Sequence, residues 1–275
     1  VSAFINTTDN IQLYGGIKYD ADSTALKEIV SSYVSNKDNI ASRSIPDDLD
    51  RGSKFNYLHG TEDEINSIEK QSELTSNHVN ILSGVNATEE SFKALTGKSS
   101  PSVIHIATHG FFAPDPKEEK DKTLAKFETS GKVFRQSDNP LFRSGLAFAG
   151  ANYTWTGKPI NGIEDGILTA YEVSNMYFPN TKLVVLSACE TGLGDIEGSE
   201  GVYGLQRAFK IAGVKNLVMS LWKVPDRATA EFMQTFYKNL FAKESISDAF
   251  YHAQTIMKNK YRNDPYKWAA WVLIR

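Results

Sequence analysis

Two side chains in this sequence have the types and the placement for nucleophilic chemistry. Cys189, the only cysteine in 275 residues, ends the apolar run of LVVLSACETGLGD (183–195) where a glycine-containing stretch begins. His109 follows SVIHIAT (102–108) in the same way, with Gly110 directly after it. A thiol of ordinary pKa, about 8.5, is only a few per cent thiolate at neutral pH, so a nucleophilic cysteine needs a neighbouring base or cation. A histidine supplies one: it takes the thiol proton as base and returns it to a leaving amine as acid. Gly110 lets the backbone turn sharply towards a substrate, and its N–H with that of Cys189 makes a pair of donors for a developing oxyanion. Taken singly, each residue has a plainer reading, since a free cysteine at a strand end is more often buried filler. Their joint placement, each at the end of an apolar strand, is what favours chemistry.

Such a pair needs a scaffold that brings two strand ends together, and the chain reads as one. IQLYGGIKYD (11–20) is a first strand, and residues 20–58 form a loop-rich excursion with a helical pattern in TALKEIVSSYV. Thr61 and Glu64 form a capping box for a helix to about Leu74, HVNILSG (78–84) is a strand, and Thr88 caps a helix that closes at Gly97. After the strand 102–108, residues 113–145 lack apolar periodicity and form a second long excursion. GLAFAGA (145–151) reads as a strand and EDGILTAYEVSNM (164–176) as helical. KLVVLSA (182–188), apolar on both alternations, is a strand buried on both faces. A helix over 200–213, a strand at 216–222, amphipathic helices at 226–241 and 245–261 and a strand at 268–274 complete the chain. This alternation predicts a single three-layer α/β domain over 1–275, with a lead-in at 1–10 and a mostly parallel central sheet covered by helices on both faces. Parallel strands present their carboxyl ends along one rim, where ligands collect, so His109 and Cys189, 80 residues apart, are expected there together.

Composition excludes several classes of function. A net charge of −3 gives no overall attraction to nucleic acid or to an anionic membrane, and no apolar run approaches the roughly 20 residues of a membrane span. One cysteine forms no internal disulfide, so a reducing, cytoplasmic setting is expected. The chain opens at Val1, as the C-terminal part of a longer protein would. His105 and His109 would lie roughly 13 Å apart along a strand rising about 3.3 Å per residue, too far to share an ion, so no metal is expected. GLGDIEGSEGVYG lacks both G-x-x-x-x-G-K-[ST] and G-x-G-x-x-G, so no nucleotide cofactor is expected. Ser187 is outside a G-x-S-x-G elbow, which disfavours a serine hydrolase.

The blocks VIHIATHGFF (103–112), DGILTAYEV (165–173), LVVLSACETGLGDIEGSEGVYGLQRAFKIAG (183–213), NLVMSLWKVPDRAT (216–229) and WAAWVLI (268–274) together resemble the CHAT domain. That family is a caspase-like module associated with tetratricopeptide repeats. The resemblance implies a caspase-like fold and a cysteine endopeptidase with His109 as general base, Cys189 as nucleophile and Gly110 at the oxyanion site. The surroundings of Cys189, S-A-C-E-T-G, differ from the caspase pattern Q-A-C-[RQG]-G, so the caspase preference for Asp is not carried over. Acidic residues gather near the expected rim: Asp165, Glu190, Asp195, Glu197, Glu200 and Asp226. Any of Asp165, Glu197 or Asp226 lining the pocket would favour Lys or Arg before the cut, whereas Trp222 or Leu193 would make it apolar. Each acid also has a plainer reading, Asp226 as the cap of the helix after Pro225 and Glu197 and Glu200 in a solvated loop.

The resemblance also implies partners: a protein substrate, such as a gasdermin or a CRISPR-linked protein in bacterial defence, and upstream helical repeats or a sensor as regulator. Loops at 113–145 and 190–200 would be reshaped on activation, and the Lys and Arg residues of 113–145 make that stretch a candidate for self-cleavage. Two further readings use the same crevice, a catalytically silent peptide-binding module and an amidase or acyl transferase acting on a small molecule.

Overall fold

The computed structural model describes residues 3–33, 54–75, 77–112, 140–188 and 200–275. In chain order the elements are β1 (Asn10–Ile17), α1 (Ser23–Ser31), α2 (His59–Glu73), β2 (His78–Gly84), α3 (Glu89–Lys93), β3 (Val103–Ala107), β4 (Gly110–Phe112), β5 (Ser144–Ala147), α4 (Ala151–Trp155), β6 (Ile167–Thr169), α5 (Ala170–Ser174), β7 (Leu183–Ser187), α6 (Glu200–Ile211), β8 (Asn216–Ser220), α7 (Asp226–Phe241), α8 (Ile246–Lys260) and β9 (Trp271–Ile274).

Six strands form the central sheet in the order β2-β1-β3-β7-β8-β9, all parallel except β9, which runs antiparallel to β8. Alternation along the strands divides the core into two halves. Ile104, Ile106, Val184 and Leu186 face one side with Leu26, Phe92, Trp155, Val173 and Phe209 from α1, α3, α4, α5 and α6. Val103, Leu183 and Val185 face the other with Ile65, Ile68, Phe232, Phe236 and Phe250 from α2, α7 and α8. This is the three-layer α/β architecture the sequence predicts, and β7 is buried at all five positions. Among the described residues no helix is long and apolar enough to cross a membrane.

Several local expectations are corrected. The stretch 164–176 is not one helix: β6 comes first, and the chain then enters α5 through a capping box of Thr169 and Glu172. β6 joins β4 and β5 in a small antiparallel sheet. Gly166, at φ +78°, permits the entry, because an added Cβ would meet the backbone of Ala151 at 2.8 Å. The helix after Thr88 has five residues and ends before Gly97, though Thr88 does cap it by accepting from the Ser91 N–H. α2 begins at His59, two residues ahead of Thr61, so Thr61 and Glu64 form no capping box. Thr61 Oγ1 instead accepts from the Gly16 N–H at the end of β1 (3.0 Å), and Glu64 turns into the sheet. Of the two expected excursions, residues 34–53 and 113–139 lie outside the described residues.

Candidate functional site

β3 and β7 are adjacent and parallel, with Ala107 opposite Ser187. The carboxyl ends of both strands therefore lie along one rim of the sheet, with His109 two residues beyond Ala107. Cys189 itself lies outside the described residues, as do Glu190, Leu193, Asp195 and Glu197. Only the backbone of Glu200, the first residue of α6, is described.

His109 is 4% exposed and sits in an aromatic box. Its ring centroid lies 5.0 Å from that of Tyr19 and 5.3 Å from that of Phe55, which in turn lies against Trp155 at 4.6 Å. His109 Nε2 is 2.7 Å from the Asn56 carbonyl oxygen. A carbonyl only accepts, so Nε2 carries the hydrogen of the neutral ring and Nδ1 is the basic nitrogen. Burial lowers the His109 pKa from 6.5; the Asn56 bond opposes this, and the charge of Lys223, just beyond β8, adds to it. A neutral imidazole at neutral pH, with its tautomer set by a backbone acceptor, is what a general base requires.

Around it, Tyr19 Oη and Thr108 Oγ1 are 2.9 Å apart, and Thr108 donates to the Ala147 carbonyl at 2.6 Å. The Tyr19 hydroxyl is pushed up to about 12, chiefly by burial, against its hydrogen bonds with Thr108 and with the His109 backbone. The Ala147 N–H donates to the His109 carbonyl at 2.9 Å, starting the β4–β5 pairing. In that register Gly110 and Leu146 form the non-hydrogen-bonded pair, so the Gly110 N–H points off the open edge of β4. Gly110 reaches this position in extended backbone, as the first residue of a strand rather than in the sharp turn expected of it.

The other candidates separate. Asp165 Oδ1 accepts from the Ile167 N–H at 2.9 Å and stands beside a buried acidic cluster. There Lys93 Nζ lies 2.6 Å from Glu89, 3.1 Å from Glu164 and 2.9 Å from Glu172. Those three carboxylates come within 4.8 Å of one another, a spacing that suits a cation, and the ammonium fills that place. Burial raises Glu89 well above the usual carboxylate range, and the charge of Glu172 adds to it. Asp226 is exposed in the first turn of α7; the cap position is Pro225, so Asp226 favours the helix through its dipole and does not cap it. Trp222 is half-buried, donating from Nε1 to the Tyr266 carbonyl at 3.0 Å.

A buried polar chain lies beneath the rim, on the α2 and α7 side. The Ser187 hydroxyl donates to Glu64 Oε2 at 3.0 Å, Glu64 Oε1 lies 3.0 Å from His105 Nε2, and His105 Nδ1 is 3.1 Å from the Tyr237 hydroxyl. One α2 carboxylate thus touches both strands that lead to the rim. His105 faces this layer while His109 lies in the aromatic box of the other, so the two imidazoles are kept apart. Asn56, Tyr19 and Lys223 were not evident as site residues from sequence. Lys223 carried one signal, its place just past the carboxyl end of a strand.

The chain is similar to curated proteins, to a solved structure and to a family model. The Homo sapiens tetratricopeptide repeat protein 28 is 33% identical over 113 residues, covering 41% of this chain and 4% of that protein. Its Mus musculus counterpart is 31% identical over 112 residues, 39% of this chain and 4% of the relative. The match thus spans a small part of these curated relatives. Among solved structures, the Arg-specific cysteine proteinase gingipain R aligns with a TM-score of 0.49 at 11% identity, over 99% of this chain and 48% of that one. The CHAT domain model matches residues 15–275, taking in every strand of both sheets in whole or part, and the chain belongs to the CHAT domain family.

Proposed function

We propose that this domain is a cysteine endopeptidase in which His109 activates Cys189 against a protein substrate. The observation that carries the reading is the His109 imidazole at the β3 end: neutral, with Nε2–H committed to the Asn56 carbonyl, beside the strand that leads to Cys189. Nδ1 would take the thiol proton as sulfur attacks the scissile carbonyl carbon. The Gly110 N–H would receive the oxyanion, and the departing amine would take the proton back from the imidazolium, leaving a thioester for water to cleave. Control by helical repeats draws support from relatives that are tetratricopeptide repeat proteins. A role in bacterial defence, a cytoplasmic location and a pocket formed by Asp165, Glu197, Asp226 or Trp222 belong to the same proposal.

The second reading, a silent peptide-binding module on the same crevice, is favoured by the 4% exposure of His109. Alkylation separates the two. In an endopeptidase, iodoacetamide modifies Cys189 faster than a free thiol at pH 7, and His109→Ala abolishes the advantage. Reaction at the free-thiol rate in both proteins would refute the catalytic reading.

A further inference from the structure

We propose that Asn152 is a positioning residue that sets the tautomer of His109 through the backbone of Phe55 and Asn56. This rests on the catalytic reading of His109 only for its functional meaning; the geometry stands independently.

Residues 54–57 belong to no strand or helix, yet Asn56 must present its carbonyl to the imidazole. Asn152, 1% exposed at the start of α4, holds the residue before it from both ends. Its Oδ1 accepts from the Phe55 N–H at 2.9 Å, and its Nδ2 donates to the Phe55 carbonyl at 2.9 Å. One side chain thereby makes the two-bond exchange that a neighbouring strand would make. With the Phe55 N–H and carbonyl both held by Asn152, the next peptide is fixed in place, and its Asn56 carbonyl oxygen lies 2.7 Å from His109 Nε2. The second Nδ2 hydrogen goes to Asp20 Oδ2 at 3.0 Å, and with two acceptors on nitrogen and a donor on oxygen the amide has one orientation. Backbone bonds from the Gly150 N–H to Lys18 and from the Asn152 N–H to Tyr19 anchor the clamp to the end of β1.

The test is the ring ¹⁵N signature of His109, which reports which nitrogen carries hydrogen. The wild type gives the Nε2–H form, and its Phe55 amide is protected from exchange. Asn152→Asp is isosteric but sets a carboxylate against the Phe55 carbonyl and Asp20; Asn152→Ser shortens the side chain. In either variant, once folded, the His109 signature becomes a mixture of tautomers. His109-dependent alkylation of Cys189 then falls about tenfold, a part of the 10²–10⁴ that general-base catalysis typically supplies. A folded variant that keeps the pure Nε2–H signature overturns the proposal. So does a wild-type protein showing Nδ1–H or a freely exchanging Phe55 amide, a readout available even if both variants fail to fold. If the tautomer shifts while wild-type Cys189 reacts like a free thiol, the clamp stands and the endopeptidase reading falls; His109-dependent reactivity with an unmoved tautomer gives the reverse.

Discussion

Replacing Asp165 by asparagine should make the protein more stable at neutral pH. The Asp165 carboxyl is pushed up from 3.8 to about 6: burial raises it most, the Ile167 N–H opposes this, and the charge of Glu172 adds to it. A carboxylate that holds its proton more tightly when folded gives a native state that binds more protons than the unfolded chain, so stability falls as pH rises through that window. The cost begins near pH 4 and is complete above about pH 6. A shift of this size corresponds to roughly 3 kcal/mol, and partial exposure together with readjustment of the neighbouring carboxylates reduces the recoverable part to about 1–2 kcal/mol. Asparagine keeps the Oδ1 that accepts from the Ile167 N–H, so the change removes charge with little change of shape. Urea unfolding of both proteins at pH 7.5 and pH 4.5 measures the difference. We expect the full advantage at the higher pH and about a third of it at the lower. An Asp165→Asn variant no more stable than wild type at pH 7.5, or equally favoured at both, would refute the electrostatic argument. Loss of cleavage after basic residues in the same variant would additionally place Asp165 in the substrate pocket.

Other outcomes follow from the same structure. Lys93→Met strands three buried or half-buried carboxylates and should cost about 3–5 kcal/mol, read as a lowered urea midpoint. Because His109 titrates below 6.5, the alkylation rate of Cys189 should hold its His109-dependent part through pH 7 and lose it only as pH drops beneath that value, which a rate profile from acid to neutral pH checks. Phe55→Ala opens the aromatic box and should move the His109 pKa back up towards 6.5, measured by NMR titration. Gly15→Ala drives a Cβ to 2.6 Å from the Thr61 carbonyl oxygen and should destabilise by about 1–3 kcal/mol, seen as a lower midpoint in thermal unfolding.

Elements governed by local periodicity were legible in the sequence. α7 was bounded at 226–241 because Pro225 precedes a sustained apolar stripe, and β7 was marked by a continuous apolar run between charge and glycine. The rim position of His109 followed from the same logic. What stayed hidden depends on partners distant in the chain. Thr61 and Glu64 have the spacing of a cap, but tertiary contacts to Gly16 and Ser187 claim both side chains. β6 is three residues long and exists because β5 lies alongside, so its helical neighbours dominated the local pattern. The Asn152 clamp bridges 97 residues, and no spacing rule reaches that far.

The N-terminal segment is stitched down far from His109: Phe4 bridges to Ser245, the Ile246 N–H donates to the Ala3 carbonyl at 2.9 Å, and Lys182 pairs with Asp9 at 2.7 Å. β9 runs back alongside β8, bringing Ile274 opposite Leu217 at the amino end of that strand. Ala3 and Ile274 therefore both lie at the amino edge of the sheet, a strand's length from the crevice. Whatever is joined to the domain through either residue therefore meets it on the edge of the sheet opposite the imidazole.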